Sequence, residues 1–170
     1  DQPIFLGVKG DKALAIAGEI ADGVLLSVGS PVEYIHHVRE RLAVGAEIAG
    51  RDPSSIHIAA YLPTCINTDG QKAVDDMRGQ AARYLALHGA SAITAAAGLP
   101  QDFCAQFRDA FLRGEKLDTN IPDEFVDKLV IAGTPEHCRR RLQEYRDAGV
   151  DMPVIYEAAG DQSPEDSLAN

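Results

Sequence analysis

Hydrophobic positions along the chain alternate between short continuous apolar runs and longer stretches with helical periodicity. The apolar runs are typical of buried strands, and the periodic stretches are typical of helices that cover a sheet. The pattern predicts four strands, at residues 4–6, 23–28, 56–62 and 152–156. The third strand is expected to stop at Pro63, because proline cannot donate to a sheet ladder.

Local signals define the predicted helices. The first helix is expected over 11–21 and the second over about 31–49, with Ser30 as its N-cap, Pro31 in the first helical position and Glu33 completing a capping box. Residues 71–129 contain only helical patterns, and the apolar stretch 121–133 is predicted as one short helix. Thr134 is predicted to cap the last helix, and residues 158–170 are predicted to be a loose tail.

Strands of this kind, separated by helices, indicate a parallel α/β sheet, either open and doubly wound or closed as a (β/α)8 barrel. Four strands in 170 residues amount to about half of a barrel of ~250 residues. We therefore predict an α/β half-barrel over residues 1–157, with a helical insertion before its last strand.

Composition narrows the possible partners. The chain is 45% hydrophobic and 25% charged, which is ordinary for a soluble globular protein, and its apolar runs are too short to span a bilayer. A net charge of −10 argues against nucleic acid and anionic membranes as partners. No charged region precedes a long apolar one, so we predict no signal peptide and expect a cytoplasmic protein. Three widely spaced cysteines indicate neither a zinc site nor a disulfide scaffold.

Three stretches of the chain carry a family resemblance. The opening segment PIFLGVKGDKALAIAGEIADGVLLSVGSP combines a strand, a Gly-x-x-Gly loop, a helix ending in Gly-Glu-x-Ala-Asp-Gly and a strand with a small polar residue near its end. It resembles the segment that opens the second half of luciferase-like flavin- and deazaflavin-dependent oxidoreductases, especially the methylenetetrahydromethanopterin reductase branch. AGRDPSSIHIAAYLPTCI and IAGTPEHCRRRLQEYRDAGVDMPVIY resemble later parts of the same family.

The resemblance implies the second half of a TIM-type (β/α)8 barrel without its first half. It implies an oxidoreductase, of luciferase-like monooxygenase or F-420-dependent reductase type, that transfers a hydride between a flavin or deazaflavin and a small-molecule substrate. The expected cofactor is coenzyme F-420 or FMN, and this branch favours the deazaflavin. Because the first half is missing, we expect a truncated protein or one that pairs with another half, as a homodimer or with a missing N-terminal half.

The loop Gly7-Val8-Lys9-Gly10 follows the first strand, where parallel α/β folds bind ligands. Glycines let the backbone approach an anion, free N–H groups of the helix point at it, and Lys9 adds a charge. The resemblance places the cofactor phosphate near this loop. The alternative is a tight turn with a solvated lysine, and Asp11 would compete with a phosphate for the same donors.

Two further residues are candidates for cofactor binding. Ser27 and Thr64 end the second and third predicted strands, where a hydroxyl can reach a cofactor oxygen or line a ring pocket. Thr64 and Cys65 can equally close a turn. His88 and His137 have no acidic or cysteine partner at ligand spacing, so we predict no metal site, and the catalytic residues stay unassigned.

Three functions remain open at this point. The first is part of a flavin- or deazaflavin-dependent oxidoreductase. The second is a non-catalytic half-barrel that binds a cofactor or a second chain through its open edges. The third is an unrelated phosphate-binding α/β enzyme with a similar loop.

Overall fold

A computed structural model describes residues 2–157, so the predicted tail lies outside the described residues. The strands are β1 (Phe5–Gly7), β2 (Gly23–Leu26), β3 (His57–Ile66), β4 (Ile131–Gly133) and β5 (Met152–Glu157). The helices are α1 (Asp11–Ile20), α2 (Val32–Ile48), α3 (Gly70–His88), α4 (Ala92–Ala96), α5 (Gln101–Leu112), α6 (Asp123–Leu129) and α7 (Pro135–Asp147), with a 3-10 turn at Pro53–Ser55.

All strand pairs of the sheet are parallel. β1 pairs with β2, β2 with the start of β3, and β5 with residues 59–64 of β3. The four predicted strands are therefore adjacent and parallel in chain order, which confirms the predicted α/β half-barrel arrangement. The predicted helical insertion is also present, as α3 to α6 between β3 and the last strand.

The prediction was wrong at two points of the sheet. Residues 131–133 form β4, which pairs with residues 64–66 of β3, so the predicted helix over 121–133 ends at Leu129. β3 also continues through Pro63 to Ile66. Because Thr64 pairs with both β4 and β5, those strands lie on opposite sides of β3. β2 stops pairing at Ala60 and β4 begins at Thr64, so Pro63 falls in the gap between these two partners, where a missing N–H is tolerated.

The start of α2 also differs from the prediction. Pro31 occupies the N-cap position without a side-chain cap, and the Ser30 hydroxyl donates instead to the Ser27 carbonyl over 2.8 Å. Glu33 forms an ion pair with Lys128 of α6 rather than a capping box. The serine is thus used to close the β2–α2 loop. The predicted cap of α7 is confirmed, since the Thr134 hydroxyl accepts from the His137 N–H over 3.3 Å.

Two hydrophobic clusters support the fold. One joins the sheet to α1, α2 and α7 and includes Leu14, Ile35 and Ile58. The other lies within the helical insertion and includes Met77 and Phe107. α1 and α2 approach each other very closely within the first cluster, because both carry glycine at the crossing. This contact fixes the position of α1, whose N-terminus lies beside the candidate site.

One strand of the sheet has little cover. β5 leaves the side chains of Met152, Val154 and Ile155 more than one-third exposed, and Tyr61 of the neighbouring β3 is 39% exposed. Exposed apolar side chains along a sheet edge are typical of a surface that pairs with further structure. Among residues 2–157, no helix is long and apolar enough to cross a membrane.

Candidate functional site

A first cavity opens at the carboxyl ends of β1 and β2. It has a volume of about 410 Å³ and takes its walls from both strand ends and from β3. β2 ends at Leu26 rather than at residue 28, which leaves Ser27 and Val28 in the loop that forms one wall. Its lining residues are Gly7, Val8, Lys9, Leu25, Leu26, Ser27, Val28 and Tyr61.

A second cavity adjoins the first at Lys9, which lines both. It has a volume of about 280 Å³ and lies between the N-terminus of α1, α2 and the start of α4. Its lining residues are Lys9, Gly10, Tyr34, His88, Ser91, Ala92 and Ile93. The predicted phosphate loop therefore lies where the two cavities meet.

The N-terminus of α1 has no side-chain cap. Gly10 occupies the N-cap position with a φ of 89°, and the Leu14 N–H makes the first helical bond to its carbonyl over 3.0 Å. Within the described part of the chain, the N–H groups of residues 11–13 have no hydrogen-bond acceptor. A Cβ atom added at Gly7 or Gly10 would meet no heavy atom within 4 Å. The loop thus offers free donors and open space for a bound group.

Asp11 does not compete for these donors as the sequence predicted. Its Oδ1 lies 2.8 Å from Nε2 of His37 on α2, so its carboxylate is held by a neighbouring side chain. This pair leaves the N–H groups of the first turn free for another acceptor.

The structure brings together most of the predicted site residues but not all of them. Gly7, Val8, Lys9 and Ser27 line the first cavity, and Gly10 lines the second. Thr64 lies outside both, because its buried hydroxyl donates to the Leu62 carbonyl over 3.0 Å within its own strand.

Several lining residues carry no signal that sequence reasoning can use. Tyr34 belongs to the apolar face of α2, His88 ends α3, and Ser91 precedes α4. His88 is held by its Nε2, which donates to the Val28 carbonyl over 2.7 Å. Burial lowers the pKa of His88, and the charge of Lys9 lowers it further, so the ring is neutral at pH 7. These residues meet only because the helical insertion packs over the β2–α2 loop.

A third polar cavity, of about 340 Å³, lies beside β4. Its principal side chain, His137, already has two partners: Asp127 Oδ1 lies 2.8 Å from Nε2, and Nδ1 lies 2.8 Å from an Arg140 nitrogen. Across residues 2–157, no group of three or more histidine, cysteine or acidic side chains is arranged to hold a metal ion. The three cysteines are free, with Cys65 partly exposed and the other two buried.

The chain matches one known protein family along most of its length. The Luciferase-like monooxygenase family profile matches residues 1–152. The 5,10-methylenetetrahydromethanopterin reductase of Methanolobus tindarius is 31% identical over 157 residues, which cover 91% of this chain and 48% of the relative. The chain therefore spans about half the length of the curated relatives that it matches.

Solved structures also match this chain along most of its length. The coenzyme F-420 dependent tetrahydromethanopterin reductase from Methanopyrus kandleri superposes with a TM-score of 0.75 at 25% identity, over 92% of this chain and 45% of that chain. An F-420-dependent secondary alcohol dehydrogenase shares the fold with a TM-score of 0.66 at 16% identity, over 95% of this chain and 44% of that chain. These matches confirm the predicted branch, and the chain belongs to the luciferase-like monooxygenase family.

Proposed function

We propose that this chain is the cofactor-binding half of an oxidoreductase barrel that uses coenzyme F-420 or FMN. The observation that carries the proposal is the uncapped N-terminus of α1, which opens through Gly10 onto two adjoining cavities at the carboxyl ends of parallel strands. The reductase from Methanopyrus kandleri, which is named as F-420 dependent, supports the deazaflavin as the first choice.

In this proposal the phosphate of the cofactor binds at the loop from Gly7 to Gly10. The free N–H groups of α1 donate to it, Gly10 keeps the approach open, and Lys9 contributes a positive charge. Ser27 and Tyr61 belong to the wall that orients the rest of the cofactor and excludes water from it. When bound, a flavin or deazaflavin supplies the hydride-transfer chemistry at its ring. Thr64 takes a structural role within β3.

We further propose that residues 1–157 form the second half of a complete barrel, which makes the whole protein a hydride-transferring enzyme acting on a small molecule. The exposed side chains of β5 support this, because a closed barrel would cover them. The other half comes from an N-terminal half or from a second copy in a homodimer. The same exposed strand also supports the alternative, a non-catalytic half-barrel that binds cofactor and self-associates.

The loop assignment is tested by a matched pair of glycine variants. Gly10 and Gly50 both have positive φ angles, and a Cβ atom at either would meet nothing within 4 Å, but only Gly10 lines a cavity. Gly50→Ala should lower the free energy of unfolding by about 1 kcal/mol. Gly10→Ala should lower it by about 1–3 kcal/mol, because a φ of 89° with a ψ of 146° is nearly confined to glycine. Only Gly10→Ala should weaken cofactor binding, by about tenfold or more, measured by fluorescence titration with FMN and with F-420.

Lys9→Ala should weaken binding less, by about threefold to tenfold, because one exposed charge adds on the order of 1 kcal/mol to the backbone donors. Its effect should shrink as salt rises, whereas that of Gly10→Ala should not. Equal affinities for the wild type, Gly10→Ala and Gly50→Ala would show that the loop is only a turn. Absence of binding of either cofactor to the wild-type chain would contradict the proposal that this half holds the phosphate.

A further inference from the structure

Tyr34 has a polar atom that the fold leaves without a partner. The residue is 1% exposed and stacks on His37 with ring centroids 5.7 Å apart. Its hydroxyl makes no hydrogen bond of full geometry within the described residues, and although the nearby Gly10 N–H partly offsets the rise in the Tyr34 pKa that burial causes, nothing accepts the hydroxyl proton. Buried hydroxyl groups are nearly always paired, because leaving one unpaired is unfavourable. Tyr34 also lines the second cavity beside Gly10, which places an unused donor next to the free N–H groups of α1.

His88 has a buried ring nitrogen that can accept a hydrogen bond or a proton. It is 7% exposed, and the bond from its Nε2 to the Val28 carbonyl requires the proton on that nitrogen. In the neutral ring, Nδ1 therefore carries a lone pair, and Nδ1 is buried with no partner among the described residues. The cavity thus has two orphaned polar atoms in its walls, one able to donate and the other able to take up a proton.

The surroundings of His88 favour added negative charge. Lys9, from the β1–α1 loop, is the charged group that acts on the ring, and Arg108 of α5 bonds the Leu87 carbonyl next to it over 2.9 Å. Tyr34 faces the cavity from α2, and the hydroxyl of Ser91 is close by on the side of α4. The carboxylate of Asp11 is already held by His37. Positive charge and donors therefore predominate around this cavity.

We propose that the second cavity is a proton-linked phosphate subsite, in which Tyr34 donates a hydrogen bond to the phosphate group of the cofactor and His88 binds one proton when the phosphate enters. The inference rests on the proposed function, because that function brings a phosphate to the N-terminus of α1. It assigns two binding residues outside the glycine loop and a pH dependence for cofactor binding.

The sign of the pH dependence follows from the charges. In the free chain, burial keeps the pKa of His88 below its usual value, so the ring is neutral at pH 7. A negatively charged phosphate group next to the ring favours the imidazolium and raises that pKa. The complex then holds one more proton than its separate components. Affinity for the phosphate group is therefore highest below the His88 pKa of the free chain, falls as the pH rises from that value to the pKa of the complex, and is constant above it.

The contribution of Tyr34 is tested with a pair of tyrosine variants. The measured quantity is the ratio of affinities for FMN and riboflavin, which differ only in the phosphate group. Tyr34→Phe should lower this ratio about tenfold, the effect of one hydrogen bond to a charged group. The control is Tyr145→Phe, because the Tyr145 hydroxyl is equally buried but donates to the Ser30 carbonyl over 2.9 Å. Tyr145→Phe should lower the unfolding midpoint and leave the ratio unchanged, whereas Tyr34→Phe should not lower the midpoint.

The proton linkage is tested with His88→Gln, since a glutamine amide can still donate to the Val28 carbonyl but does not titrate. In the wild type, the ratio of the FMN affinity to the riboflavin affinity should fall about fivefold to tenfold from pH 6.5 to pH 8. The FMN phosphate itself also titrates near this range, and His88→Gln should remove the rest of the pH dependence. His36→Gln is the control, because His36 lies on the exposed side of α2 and lines neither cavity. In NMR titrations, the pKa of the His88 ring should rise when FMN or inorganic phosphate is added.

The outcomes separate the inference from the function on which it rests. If Gly10→Ala weakens FMN binding about tenfold or more while Tyr34→Phe and His88→Gln change neither the ratio nor its pH dependence, the inference is wrong and the proposed function stands. If the wild-type chain binds FMN and riboflavin equally at every pH, the inference is wrong, and if it also fails to bind F-420, the proposed function is wrong as well. If the His88 pKa is unchanged by bound phosphate, the proton linkage is excluded, whatever the result for Tyr34.

Discussion

The contact between α1 and α2 leads to a prediction about stability and function together. A Cβ atom added at Gly45 of α2 would lie 1.8 Å from the Ala15 carbonyl oxygen of α1, and one added at Gly18 would lie 2.2 Å from the Leu42 carbonyl oxygen. Both obstacles are backbone atoms, which cannot move aside as a side chain can. Gly45→Ala must therefore push the two helices apart.

The expected size follows from two opposing effects. Overpacking a core typically destabilises by about 1–3 kcal/mol and sometimes by more, and a clash against backbone belongs at the upper end. Alanine gains about 1 kcal/mol over glycine in helix propensity, which leaves a net loss of about 2 kcal/mol. For a chain of this length, such a loss lowers the melting temperature by roughly 4–8 °C. Because α1 carries Gly10 at its start, we also expect weaker cofactor binding.

The assay is urea unfolding followed by circular dichroism, with Gly79→Ala as the control. Gly79 lies within α3, and a Cβ atom there would meet nothing within 4 Å, so this variant should be as stable as the wild type or more stable by up to about 1 kcal/mol. A Gly45→Ala protein with the unfolding midpoint of wild type or of Gly79→Ala would refute the argument that the close helix contact depends on glycine.

Two further predictions concern the surface. Under native conditions iodoacetamide should modify only Cys65, and slowly at pH 7 because burial raises the pKa of its thiol, whereas unfolded chains should gain three adducts by mass spectrometry. Native modification of all three thiols would contradict the described core. Sedimentation velocity should show concentration-dependent association of the wild-type chain, which Ile155→Lys should weaken because that side chain on β5 is 51% exposed. A monomeric wild type would exclude the homodimer.

The sequence predicted the sheet well where a strand was long enough to show its own pattern. β4 was missed because its three residues continue the apolar positions of α6 without a turn signal, and only the pairing with β3 makes them a strand. The end of β3 was misplaced because proline usually stops a strand. Pro63 is tolerated through a gap between two partners that no local pattern shows.

The candidate site also contains residues that the sequence could predict and residues that it could not. The loop at Gly7 and Gly10 could be predicted because backbone freedom at a strand end is visible in residue type and spacing. Tyr34 and His88 could not be, because their significance lies in a missing partner, which exists only once α2, α3 and α4 are packed together. Ser30 was predicted to cap α2 because of its residue type, but its hydroxyl closes the β2–α2 loop instead.

The place of β5 beside β3 has a consequence for how the chain folds. The Ile58 N–H donates to the Asp151 carboxylate across 93 residues, and the whole helical insertion lies between them. The pairs β1–β2 and β2–β3 close much shorter loops, so they can form while the insertion is still unstructured. β5 can pair with β3 only after α3 to α7 have brought these two strands close together. We therefore expect β5 to be the last strand to join the sheet and the first to leave it.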